Sequence, residues 1–116
     1  MDVESLVRFL SKMPSVSDSF PFDEDTMVFK VGSKMFALIA LNRYPLAINL
    51  KCDPDRAQDL RESYAAITPG FHMNKKHWNT VEIGEIEDRF LLELIQHSYD
   101  LVVEKMTKKE RVALGI

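Results

Sequence analysis

Basic, aromatic and imidazole side chains are concentrated in residues 63–81. This segment has no acidic residue, although the chain carries 18 Asp and Glu against 15 Lys and Arg. Within it, Lys75 and Lys76 are adjacent, with Phe71 and Trp78 on either side. Lysines can contact phosphates and an indole can stack on a base, so the pattern predicts weak DNA binding through a basic and aromatic hairpin. Seven residues are assigned to that surface: Lys75, Lys76, Asn74, Trp78, His72, His77 and, from the preceding helix, Arg61.

The alternative for this segment is a solvated turn that carries a partly buried tryptophan. Two adjacent lysines neutralise few phosphates, so the expected affinity for DNA is low. The net charge of −3 also means that most of the surface repels nucleic acid. The acidic balance therefore favours a second hypothesis, a protein-interaction or chaperone-like module that uses an exposed sheet face or a helix groove.

Metal binding and catalysis have weaker support in the sequence. His72 and His77 would face each other across a hairpin with its turn near residues 74–75, but two imidazoles make only half of a zinc site. Cys52 with either histidine is the one nucleophile–base pair that can be drawn, and no third group to orient it can be named. The four glycines are isolated, so no phosphate-binding loop is present. We expect no metal, no cofactor and no enzymatic activity.

The cysteine count and the hydropathy pattern indicate a cellular location. Cys52 is the only cysteine and cannot form an internal disulfide, which predicts a reducing cytoplasm. No apolar run reaches the roughly 18 residues that cross a bilayer, and the first residues are acidic before they are apolar. We expect no membrane partner, and we expect residues 1–116 to form one domain, with a monomer favoured.

Apolar spacing and turn residues predict the elements that position the basic segment. A helical stripe ends before Pro14, and residues 15–25 are expected to form a loop. Gly32 and Ser33 separate two β-branched and aromatic runs, which is typical of a two-residue hairpin with glycine at the first turn position. Residues 46–51 alternate like a third strand.

The second half of the chain returns to helix. Asp53 and Pro54 are good first residues for a middle helix. Two short strands are expected around residues 74–75, and a long last helix runs to about Met106, followed by a tail that frays or forms a short turn. These elements predict an α+β two-layer sandwich with five or six antiparallel strands and helices on one face. Its expected core residues are Leu6, Leu10, Phe29, Phe36, Leu38, Ile48, Leu60, Leu94, Leu101 and Val102.

Six stretches of the chain resemble the MmcQ/YjbR family of small bacterial proteins, and together they cover most of its length. The most specific is TPGFHMNKKHWNTV at residues 68–81. The others are FPF at 20–22, VFKVGSKMFAL at 28–38, LKCDP at 50–54, LRESY at 60–64 and SYDLVVEKM at 98–106. Two positions depart from the family pattern: Phe71 lies where tyrosine is common, and Asp23 lies where glycine is common.

The resemblance implies a fold similar to the secretion-chaperone-like and frataxin-like sandwiches, an arrangement also described as a double wing. It also implies DNA binding, by analogy of fold. It implies no catalytic residue. The family's hallmark block falls on residues 69–78, the same segment that the charge distribution selects.

Overall fold

A computed structural model describes every residue from Met1 to Ile116. The chain forms four α-helices, six strands and one turn of 3-10 helix at Ile83–Glu85. In chain order the helices and strands are α1 Val3–Ser11, β1 Val16–Ser19, β2 Thr26–Val31, β3 Lys34–Ala40, β4 Ala47–Lys51, α2 Pro54–Ser63, β5 Ile67–Pro69, β6 Trp78–Glu82, α3 Asp88–Glu104 and α4 Lys108–Leu114.

The six strands form one sheet in the order β1-β2-β3-β4-β6-β5, and every neighbouring pair is antiparallel. Helix α3 packs across β2, β3 and β4, whereas α1 lies against β1 and α2 against β5. Together the helices bury a core of 22 residues against one face of the sheet. This arrangement confirms the predicted α+β sandwich, with six strands.

Helix α3 is fixed to the sheet by a buried serine as well as by apolar packing. The hydroxyl of Ser98 donates to the carbonyl of Phe36 at 2.6 Å and accepts from the amide of Lys51 at 2.9 Å. One side chain therefore holds the helix to both β3 and β4. No helix in the structure combines the length and the apolar character needed to cross a membrane.

The β2–β3 hairpin has the predicted turn and a bulge that was not predicted. Gly32 has a φ of 58°, and Val31 pairs directly with Lys34. The register then shifts opposite Phe29 and Lys30, which leaves one extra residue in β3. Because of that extra residue, Phe36 and Ala37 both join the helix-covered core, while Met35 and Leu38 pack on the other face.

Two elements of the structure, β1 and α4, differ from the predictions. Residues 15–25 were expected to be a loop, but they include edge strand β1, whose three residues after Val16 are exposed and so give no apolar alternation. For the tail the sequence predicts fraying or a short turn, but it forms the seven-residue helix α4, which Thr107 caps by accepting from the amide of Glu110 at 3.1 Å.

The predicted core residues are buried with one exception, Leu101, which is only partly buried. The buried stripe of α3 runs through Ser98, Tyr99 and Val102 and leaves Leu101 to one side. Tyr99 packs edge-on against Phe36, with ring centroids 5.6 Å apart. Leu38 is buried as predicted, but on the face that the helices do not cover.

Candidate functional site

A loop of residues 70–77 connects the antiparallel strands β5 and β6. Of the two short strands that the sequence predicts around residues 74–75, the second corresponds to β6, whereas the first lies earlier in the chain, at Ile67–Pro69. Each end of the loop closes in a turn. The amide of Met73 donates to the carbonyl of Gly70 at 3.2 Å, and the amide of His77 donates to the carbonyl of Asn74 at 3.1 Å. The prediction that His72 and His77 face each other across paired strands is therefore wrong, because both histidines lie in the loop and outside the paired residues of β5 and β6.

Gly70 is required in this loop by close packing. Its amide donates to the carbonyl of Trp78 at 2.8 Å, and a Cβ added at Gly70 would lie 2.7 Å from the Cβ of Trp78. Among the loop residues the positive φ, 59°, belongs to His72. Gly70 itself does not have a positive φ, and the glycine is needed because it lets the two chain segments touch.

Arg61, predicted to help bind DNA, holds the loop in place. Asp53 caps α2 as predicted, and the helix carries Arg61 in its last turn. The Nε of Arg61 donates to the side-chain oxygen of Asn79 at 2.6 Å, and its terminal nitrogen donates to the carbonyls of Trp78 and Lys75. Asn79 is buried, so the guanidinium satisfies a polar group that water cannot reach.

The two lysines of the loop differ in their surroundings. The ammonium of Lys75 donates to the carbonyl of Gly70 at 3.1 Å and so closes the loop from inside. Lys76 is exposed, and its side chain makes no hydrogen bond or ion pair. Asn74 accepts from the amide of Lys76 at 3.0 Å, which fixes the turn. Of the cations assigned to phosphate binding, only Lys76 is free.

The loop forms one wall of a groove on the sheet face opposite the helices. Three buried residues from three strands, Val28, Leu38 and Trp78, form a small apolar cluster on that face, and Met35 and Met73 pack against it. The groove above this cluster has a volume of about 740 Å³. Its lining residues are Phe22, Asp23, Thr26, Met35, Leu38, Ala40, Asn42, Asn49, Phe71, His72, Met73, Asn74 and Trp78.

Two exposed phenylalanines line this groove from different loops. Phe71 is 63% exposed and Phe22 is 64% exposed. The ring centroids of Phe71 and His72 lie 4.0 Å apart. The backbone amide of Phe71 donates to the hydroxyl of Thr80 at 3.0 Å. The aromatic side chains are thus presented to solvent on an anchored backbone.

The loop that carries Phe22 is anchored by a carboxylate. Asp23 accepts from the amides of Asp25 and Thr26 at 2.9 and 2.6 Å and from the Thr26 hydroxyl at 3.1 Å. These hydrogen bonds to the charged form lower the pKa of Asp23. The side chain at this position, where the family commonly has glycine, therefore closes a turn next to the groove.

Sequence reasoning found one wall of the groove and missed the rest. His72, Asn74 and Trp78 were among the predicted site residues, whereas Lys75, Lys76, His77 and Arg61 do not line the groove. The floor residues Met35 and Leu38 were missed because the bulge at Phe36 decides which face they occupy. Phe22 could have been found, since FPF places two large apolar side chains in a stretch that otherwise reads as polar loop.

The Cys52 and histidine pair drawn from the sequence is not arranged for catalysis. Cys52 is buried, and burial raises the pKa of its thiol, which keeps it protonated. The amide of Cys52 donates to the backbone carbonyl of His77 at 2.8 Å. The cavity beside Cys52 has a volume of only about 10 Å³, roughly that of a single water position. No three His, Cys, Asp or Glu side chains are grouped as metal ligands would be.

The fold and the groove define a small α+β domain in which one face of an antiparallel sheet is covered by helices and the other is open. The model of the YjbR family matches residues 11–101. The chain therefore belongs to the YjbR family, as its resemblance to MmcQ/YjbR proteins indicated.

Relatives in sequence and structure agree with this placement. The chain is 39% identical over 109 residues to the uncharacterized protein YbdF of Escherichia coli O157:H7, covering 93% of this chain and 89% of that one. It is 28% identical over 115 residues to the uncharacterized protein YjbR of Escherichia coli K12, covering 98% of each.

Solved structures share the fold. The crystal structure of Deinococcus radiodurans protein DR2400, a DUF419 domain, superposes with a TM-score of 0.92 at 42% identity, covering 98% of this chain and 88% of that one. A crystal structure from Pseudomonas syringae gives a TM-score of 0.74 at 26% identity, covering 87% and 98% of the two chains.

Proposed function

We propose that the protein is a small cytoplasmic binding module that holds an extended, apolar segment of a partner protein in the groove on the open sheet face. The observation that carries this proposal is the groove itself. Its volume of about 740 Å³ lies within the range of about 300–1,000 Å³ that is typical of binding pockets. Its floor is apolar, and polar side chains lie among the lining residues.

The charge of the groove favours an apolar partner over a phosphate chain. No lysine or arginine lines it, and its ionisable lining residues are Asp23 and His72. Asp23 is engaged by three hydrogen bonds in its own turn. A polyanion in the groove would find no cation there to replace its counterions.

The side chains of the groove suit a partner whose residues vary. Met35 and Met73 are unbranched and polarisable, so they can adapt to different apolar side chains. Phe22 and Phe71 offer rigid aromatic contacts at positions that the surrounding hydrogen bonds already fix. Little ordering is then required when a partner binds, which favours affinity.

Single-stranded nucleic acid is the second candidate, and one observation favours it. The exposed ring of Phe71 and the free ammonium of Lys76 belong to the same loop. A base could stack on the ring while a phosphate meets the lysine. Because Arg61 and Lys75 are engaged within the protein, this contact neutralises only about one phosphate and should be weak.

The two candidates are separated by titrating two labelled probes, a decapeptide that alternates leucine with serine and a mixed-sequence single-stranded DNA. Fluorescence anisotropy should show saturable binding of the peptide and little binding of the DNA. Replacing Phe71→Ser should weaken peptide binding by about fivefold or more, as expected for the loss of an aromatic contact.

Tyr44→Ser is the matched control, because Tyr44 is 95% exposed and does not line the groove. It should change the affinity for the peptide by less than about twofold. Equal effects of the two substitutions, or no peptide binding at all, contradict the proposal. Binding of the DNA alone, weakened by Lys76→Gln, would establish the nucleic-acid candidate instead.

A further inference from the structure

We propose that a cleft lined by Lys34, Lys51 and Lys105 is an anion site that takes the phosphate group of a small molecule. These three lysines form a surface distinct from the basic loop, and sequence reasoning did not select any of them. Lys34 begins β3, Lys51 ends β4, and Lys105 directly follows α3. The fold brings them to one cleft with a volume of about 330 Å³.

The positive charge of the cleft is not compensated by the protein. No Asp or Glu lines it, and none of the three ammonium groups makes an ion pair or a hydrogen bond. Burial lowers the pKa of Lys51, and the positive charges of Lys105 and Lys34 lower it further. The two charged groups that shift the pKa of Lys51 are thus both lysines, in a chain whose net charge is −3.

A bound anion would relieve this arrangement. It would screen the three lysines from each other and replace the water that Lys51 has lost. The end of α3 carries a partial charge of about −0.5, which opposes an anion but is smaller than the charge of three ammonium groups. Lysine binds phosphate as a point charge, so the three ammonium groups do not need the planar, forked arrangement of donors that an arginine presents.

The shape of the cleft selects a small phosphate compound. Its remaining lining is apolar and consists of Met35, Trp78, Val102 and Met106. The volume lies near the lower end of the range for ligand pockets, which leaves room for a phosphate and a modest organic group but not for a duplex. Met35 and Trp78 also line the groove, so the two sites adjoin, although the anion site does not depend on what the groove binds.

Inorganic pyrophosphate is a suitable probe, and Trp78, the only tryptophan, is a built-in reporter. Pyrophosphate should be titrated while sodium chloride is reduced to keep the ionic strength constant, so that general screening does not change. A saturable change in Trp78 fluorescence is expected, with half-saturation at or below about 1 mM. No saturable change up to about 10 mM overturns the proposal.

Lysine-to-glutamine substitutions locate the site. Lys51→Gln should weaken pyrophosphate binding by about tenfold or more, because it removes a charged contact. Lys12→Gln is the matched control, since Lys12 is an exposed lysine that does not line the cleft, and it should leave the affinity unchanged. Equal affinities for the two variants overturn the proposal.

A second variant keeps the test decisive if Lys51→Gln fails to fold. Lys34 is exposed, so Lys34→Gln should fold and should also weaken binding. Backbone amide chemical shifts of residues 34, 51 and 105 in the wild type should move together in the pyrophosphate titration. Shifts confined to the loop at residues 70–77 would assign the anion to the basic loop and contradict the proposal.

Discussion

The two faces of the sheet carry similar side chains but have different surroundings. On one face, three helices bury a core of 22 residues, including Phe36 and Ile39. On the other, three buried residues, Val28, Leu38 and Trp78, lie beneath an open groove. The strands supply apolar side chains to both faces, so composition alone does not distinguish them. The difference indicates that the covered face stabilises the fold and that the open face is available for binding.

The largest expected effect is on the covered face. Phe36 is fully buried and packs against Tyr99, so Phe36→Ala leaves a cavity that the rigid sheet cannot close. We expect the free energy of unfolding to fall by about 3–5 kcal/mol in a urea titration. A loss below about 1 kcal/mol would contradict the assignment of stability to the helix-covered core.

The next effect tests the anchor of the groove wall. Arg61→Ala leaves the side-chain oxygen of buried Asn79 and the carbonyl of Lys75 without their donor and removes one of two donors to the carbonyl of Trp78. We expect a loss of about 1–3 kcal/mol in the free energy of unfolding. Arg61→Lys keeps the charge but lacks the forked donors, so it should not restore stability. If lysine restores it completely, the charge of Arg61 matters and the hydrogen bonds do not.

A smaller effect is expected in the pH dependence of stability, through a histidine on the helix-covered side of the sheet. The Nε2 of His97 accepts from the amide of Asp53 at 3.2 Å. Burial lowers the pKa of His97 below 6.5 and the charge of Arg56 lowers it further, while Asp53, Asp100 and Glu104 act in the opposite direction. As the pH falls through 6.5, the unfolded chain takes up a proton at His97 before the folded protein does, so stability decreases.

The measurement is the free energy of unfolding between neutral pH and about pH 5, compared for the wild type and His97→Gln. The free energy of unfolding should fall less for His97→Gln than for the wild type, because the glutamine side chain does not titrate. Identical pH profiles for the two proteins would show that His97 does not contribute to the decrease.

The smallest effect on stability is expected on the open face. Phe71 is the same residue type as Phe36 but is 63% exposed, so Phe71→Ala should change the free energy of unfolding by less than about 0.5 kcal/mol. The same substitution should weaken binding of an apolar peptide. A stability loss comparable with that of Phe36→Ala, measured in the same urea titrations, would remove the distinction between the two faces.

Local signals explain why much of the fold could be predicted. Gly32 and Ser33 set the hairpin turn, and Asp53 with Pro54 begins α2, because each of these depends on a few adjacent residues. Helix α4 also had a local signal, Thr107 followed by Glu110, which resembles a capping box. Strand β1 had none, since an exposed edge strand needs no apolar alternation.

The groove depends on contacts that local patterns do not contain. Its floor joins β3 to β6, and an extra residue in β3 decides that Met35 and Leu38 face it. The role of Arg61 depends on carbonyls 14 and 17 residues further along the chain. Charge and aromatic content therefore selected a loop that lines the groove, but they did not reveal that Arg61 and Lys75 are engaged within the protein.

The two edges of the sheet have a consequence for self-association. Strand β1 is four residues long and ends in three exposed polar residues, and β5 has three residues and ends at Pro69, which has no amide hydrogen to donate. Short, polar or proline-terminated edges are poor templates for adding strands from another copy. The open apolar face therefore lies between edges that resist the growth of a continuous sheet, and concentrated protein should stay in solution while that face stays accessible.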